Sequence, residues 1–197
     1  MMKKRVDTLI ACVFVAFLAG CASSPPSRFY TLSPASVPAG TPQANCSVSV
    51  GPVTVPAVVD RPQIVVRTGP NTVFIDNFDR WASPLKDDIG RVVAENLMVL
   101  LGTTRITLFP KSAADDASYR AAIDILRFDS EPGKAAILDA VWQVRSAGQG
   151  QVRQGRTTIE EPAQGGYDTL VAAHSRALGR LSAEIAAAIG ELETRKP

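Results

Sequence analysis

Between Ser83 and Gly102, Leu85, Ile89, Val92, Val93, Leu97, Leu100 and Leu101 recur at helical spacing, and this stripe constrains the fold more than any other stretch. At about 1.5–3 kcal/mol per buried aliphatic side chain, covering it is worth on the order of 10–20 kcal/mol before entropy costs, so the chain must supply a partner layer. The expected helix entry is a Ser83 hydroxyl cap, Pro84 at the first helical position and Asp87-Asp88 near the positive end of the dipole. Gly102 ends it. A second stripe, Leu170, Leu178, Leu181, Ile185, Ile189 and Leu192, begins near Asp168 after Gly165-Gly166. Arg180 and Glu184, four residues apart, are placed to support this helix from outside, and Ala186-Ala187-Ala188 lets it lie close to its neighbour.

The partner layer reads as a sheet. Val48 and Val50 alternate with serines, whereas Val53 and Val55 fall on the opposite parity, which predicts a bulge or bend at Gly51-Pro52. Ile64–Val66 and Thr72–Ile75 flank a Gly69-Pro70-Asn71 turn signal and predict a hairpin. Arg105–Phe109 is a further strand, so Val73 to Phe109 is expected to form a right-handed strand-helix-strand crossover. Ala121–Phe128, Ala135–Arg145 and Gln151–Ile159 predict an antiparallel meander, whose middle strand puts Leu138, Ala140, Trp142 and Val144 on one face and Asp139, Gln143 and Arg145 on the other. The expected fold class is α+β: a mixed, largely antiparallel sheet with two main amphipathic helices packed on one face.

The chain opens with Lys3-Lys4-Arg5, an apolar run from Thr8 to Leu18, and then Ala19-Gly20-Cys21, the three parts of an export signal. Thr8 to Ala22 would reach only about 22 Å as a helix, short of the ~30 Å hydrocarbon core. The stretch resembles a bacterial lipobox, which implies removal of residues 1–20 and lipidation of Cys21. Ala22, rather than Asp, directly after that cysteine favours the outer membrane, with the protein facing the periplasm. Residues 21–45 are then expected to be a Pro/Ser-rich tether with a short strand near 29–32, and residues 46–197 a single domain.

Maturation also removes the apparent basicity. The chain has 21 Lys and Arg against 19 Asp and Glu; losing Lys3, Lys4, Arg5 and Asp7 leaves eighteen of each. A neutral body offers no extended cationic surface, which argues against nucleic acid as a partner. Of three cysteines, Cys12 leaves with the signal and Cys21 is acylated, so Cys46 has no internal partner. His174 is the only histidine and lies along the second stripe, where packing is the expected role. Adjacent Ser175 points about 100° away from it on a helix and makes no nucleophile pair by itself. No metal-ligand cluster, cofactor motif or catalytic set is expected.

The most distinctive segments are Gly51-Pro52-Val53-Thr54-Val55-Pro56, Asp60-Arg61-Pro62-Gln63-Ile64-Val65-Val66-Arg67 and Arg80-Trp81-Ala82-Ser83-Pro84-Leu85. With the lipobox, Phe29-Tyr30-Thr31-Leu32 and the closing helix, they make the chain resemble the ABC-type transport auxiliary lipoproteins (PqiC/YmbA-like). The resemblance implies a non-catalytic component of an intermembrane lipid transport system. The implied partners are a mammalian-cell-entry (MCE) domain protein and inner-membrane ABC transporter components, with the outer membrane bound through the lipid anchor and a homo-oligomer possible. Asp60, Arg61, Arg67, Arg80 and Trp81 are the candidate partner-binding residues. Two readings of them stay open: a rigid turn with an aromatic plug, or an interface. The abundance of Val, Ile and Leu keeps a second function open, a lipid-binding carrier domain.

Overall fold

The computed structural model describes residues 25–36, 46–110, 116–148 and 150–194; the signal segment, Cys21 and the part of the tether from 37 to 45 lie outside them. The elements are β1 (Arg28–Tyr30), β2 (Val48–Thr54), β3 (Gln63–Gly69), β4 (Thr72–Trp81), α1 (Leu85–Leu101), β5 (Ile106–Leu108), β6 (Tyr119–Glu131), β7 (Ala135–Ser146), β8 (Val152–Pro162) and α2 (Tyr167–Thr194).

The meander β6-β7-β8 forms as expected, with longer strands. β6 organises the rest. β7 pairs with it from Tyr119 to Glu131, and its other edge is shared: β2 runs parallel to its first half and β3 meets it at Ser130. The sheet therefore forks into two arms, β2-β5 and β3-β4-β1. The register shift between Val50 and Val53 is the parity change at Gly51-Pro52, and the β3-β4 hairpin closes through Pro70-Asn71.

Both helices pack on one face of this sheet, α1 on β2 and β5, α2 on β6, β7 and β8, and each on the other. The fold is α+β, with the two stripes as its core: all six stripe residues of α2 are buried, and in α1 only Leu100 stays half-buried. Gly102 ends α1 in the left-handed region, φ 62°, where a side chain would be strained.

Three local expectations are corrected. The strand-helix-strand segment is not a parallel crossover: β4 is antiparallel to β3, whereas β3, β6, β2 and β5 all run parallel. The hairpin with β3 fixes the direction of β4, so α1 carries the chain from one arm to the outer edge of the other. Ser83 makes no capping bond; Pro84, with ψ 126°, is itself the N-cap, and its carbonyl accepts from the Asp87 and Asp88 N–H groups. Arg180 reaches Glu161 on β8 at 3.2 Å, while Glu184 accepts from the Thr157 hydroxyl. The sheet beneath α2 thus offers partners that displace the four-apart pair.

The segment after β1 is a strap across the two helices. Leu32, 1 % exposed, donates its N–H to Asp88 at 2.8 Å, and Arg91 bonds both the Leu32 carbonyl (2.7 Å) and Asp88 (2.6 Å). Asn96 accepts from the Ala35 and Ser36 N–H groups, and Ser175 of α2 accepts from that of Ser33. β1 itself pairs parallel to the end of β4, with Arg28 and Tyr30 both bonded to buried Asp79. Residues on either side of Thr31 are thereby integral to the body.

Candidate docking site

Three of the motif residues, Asp60, Arg61 and Trp81, converge beside the connection from β2 to β3. The connection between β2 and β3 turns tightly: the Pro56 carbonyl accepts from Val59 and Asp60, and buried Val59 pins the turn to the core. At its end the Trp81 N–H donates to the Pro62 carbonyl at 2.7 Å, and the Ala82 N–H to Tyr30 at 2.8 Å. These bonds place Asp60–Pro62 against Trp81–Pro84, and together they line an open cleft of about 280 Å³. Lys86, the second residue of α1, lies 3.6 Å from Asp60.

Trp81 is 6 % exposed and meets Phe128 edge to face, with centroids 6.2 Å apart. It is the floor of the cleft and a core residue at once, so the aromatic-plug reading accounts for most of its surface. Arg61 is half-buried. It lines the cleft, and its Nε is fully covered with no hydrogen-bond partner. Asp60 stands exposed at the rim.

Arg80 and Arg67 do not join this group. Arg80 alternates with Asp79 and Trp81, so it lies on the helix-free face of the sheet, in register with Phe29; its Nε too is covered and unpartnered. Arg67 is engaged with Asp129 at 3.0 Å and with the Pro70 carbonyl, beside the β3-β4 turn. Burial alone would raise the Asp129 carboxyl, but the hydrogen bonds from Arg67 and Arg127 outweigh it and hold the group below its ordinary range.

Sequence reasoning missed Lys86, which pairs with the rim residue Asp60, and the exposure of Phe29. No local pattern marks the first, because its partner is on another element. The second was legible as the odd position between two sheet-facing residues, Arg28 and Tyr30.

His174 is a core residue. It is 1 % exposed, stacks on Phe128 with centroids 3.8 Å apart, and shares a hydrogen bond of 2.9 Å with Ser130 through Nε2. Burial pushes its pKa down to about 3, against a small opposing pull from Asp129. The folded state therefore resists protonation. Stability is full above the unfolded pKa of about 6.5 and falls as pH drops toward 3, by about 2 kcal/mol at pH 5. Urea titrations from pH 7 to 5 should show that slope in the parent and lose most of it in His174→Gln; equal slopes would contradict the assignment. Burial likewise pushes the Cys46 thiol up to about 11, which leaves it inert. Among the described residues, no group of three His, Cys, Asp or Glu is placed to hold a metal ion.

A family model described as the ABC-type transport auxiliary lipoprotein component matches residues 30–186. Among solved structures, an uncharacterized protein is 22 % identical over 84 % of this chain and 99 % of its own, with a TM-score of 0.69. A Xanthomonas campestris protein of the DUF330 family is 19 % identical over 86 % of this chain and 100 % of its own, with a TM-score of 0.70. At these identities the two structures speak for the fold. No curated protein matches the chain.

Proposed function

The chain belongs to the ABC-type transport auxiliary lipoprotein family, and on that premise we propose that it is a non-catalytic adaptor, anchored by lipidated Cys21 to the outer membrane, that docks on the conduit of an intermembrane lipid transport system. The conduit is an MCE-domain protein served by an inner-membrane ABC transporter. The docking site is the cleft of Asp60, Arg61 and Trp81. One observation carries this reading: the motif residues Asp60, Arg61 and Trp81 line one open cleft, in which the half-buried Arg61 supplies a cation beside a rigid aromatic.

Trp81 gives the site a rigid floor, and the Pro62 and Pro84 rims hold its shape without side-chain ordering on binding. Much of the Val, Ile and Leu content that raised a carrier function packs in the core, where Leu97, Leu138, Leu178 and Ile185 are fully covered. A photocrosslinking residue in place of exposed Val58, on the same turn, is expected to capture the MCE-domain protein in cells. Repeated recovery of neither that protein nor another transporter component would count against docking.

A further inference from the structure

A strip of apolar side chains stays uncovered on the helix-free face of the β3-β4-β1 arm. Phe29 is 64 % exposed, the most of any large apolar residue described. Val73 and Ile75 lie opposite Arg67 and Val65, and Phe78 stands in the irregular stretch of β4 between Ile75 and Arg80. Arg80, in register with Phe29 and with its Nε unpartnered, puts a cation among them.

From this we infer that the β1-β4 face rests on a phospholipid surface, with Phe29 at the boundary of headgroups and acyl chains and Arg80 toward the phosphates. The inference rests on the lipidation of Cys21. Six residues lie between Cys21 and Arg28, the start of β1, and the seven steps reach at most about 25 Å even when fully extended. That is about the length of α1 alone, so the anchor cannot hold the body far from the bilayer. The end of that short tether delivers the edge of the sheet that carries Phe29, and an aromatic with a nearby arginine is the pairing that membrane interfaces favour. The Arg61 cleft, tied to β1 through Ala82 and Tyr30, then opens close to the membrane, where a conduit ends.

The test uses the full-length lipidated protein in vesicles of phosphatidylethanolamine and phosphatidylglycerol, with and without brominated acyl chains. Phe29→Trp is compared with Val99→Trp, three turns along α1 from Asp88 and on the helix side of the sheet. Brominated chains are expected to quench most of the emission added at position 29 and little of that added at position 99. Acylated protein that floats with the vesicles but shows equal quenching at both positions, or none at position 29, overturns the orientation. A position 29 shielded from aqueous iodide yet untouched by bromine assigns the strip to a protein neighbour and overturns it as well. Protein that neither floats nor carries acyl mass on its Cys21 peptide overturns the anchoring reading, and the orientation with it.

Discussion

Asp88→Ala is expected to lower the stability of the domain by about 3 kcal/mol, because it strips a buried carboxylate from four donors at once. Asp88 is 4 % exposed and accepts from the Leu32 N–H, the Thr31 hydroxyl and two nitrogens of Arg91. Removing it leaves the Leu32 N–H covered and unpaired and the Arg91 guanidinium held by Glu95, the Leu32 carbonyl and a longer bond to the Thr31 hydroxyl. The damage should be local in origin: the strap loosens first, and hydrogen exchange at Leu32 accelerates more than at the core strands. Asp88→Asn keeps an acceptor and should lose less than half as much. A urea midpoint for Asp88→Ala within error of the parent would show that the strap does not depend on this clamp.

Gly155→Ala is expected to cost a further large amount, about 3 kcal/mol, through overpacking rather than a lost bond. A Cβ at position 155 would lie 2.5 Å from Cζ2 and 2.7 Å from Cε2 of Trp142, distances that no relaxed contact reaches. The ring cannot simply tilt away. Its Nε1–H donates to the Thr157 hydroxyl at 3.0 Å, and Thr157 in turn donates to Glu184 of α2, so moving the indole disrupts the seam between β7, β8 and α2. Gly190→Ala, with nothing within 4 Å of the added methyl, is the matched control and should be neutral or stabilising. Denaturation followed by tryptophan emission reads both; similar midpoints for the two variants would contradict the packing described.

These two sites show what was hidden in the sequence and why. The apolar stripes from Leu85 to Leu101 and from Leu170 to Leu192 were legible because helical periodicity is local, and the alternation through Trp142 gave the meander for the same reason. The fork at β6 was not, since whether β2 or β3 takes a given stretch of its edge depends on registers between residues some 70 positions apart. Direction was lost with it, which is why the segment through α1 read as a parallel crossover. The strap was invisible for a different reason: Asp88, Asn96 and Ser175 look like ordinary polar helix positions until Leu32 to Ser36 is laid over them. Among the candidate site residues, Asp60, Arg61 and Trp81 were recognisable as motif and meet in one cleft. Arg67 and Arg80 were recognisable too, but pairing with Asp129 and the alternation of β4 send them elsewhere.

The arrangement also links anchor and cleft mechanically. β1 is bonded to the end of β4, the strap that follows it is clamped to α1, and α1 begins at the cleft rim. Tension applied at β1 would thus be borne by Asp79, Asp88 and the β1-β4 pairing, as the proposed anchoring through Cys21 requires.

The affinity of the full-length lipidated protein for the MCE-domain protein, with Arg61→Glu set beside Arg153→Glu, tests the central claim most directly. Arg153 is a half-buried arginine on β8 paired to Glu191, outside the cleft lining, and serves as the charge-matched control. The adaptor account predicts that Arg61→Glu weakens binding about tenfold or more while Arg153→Glu leaves it unchanged, with both proteins equally stable to urea. Undiminished binding by a folded Arg61→Glu protein would contradict it.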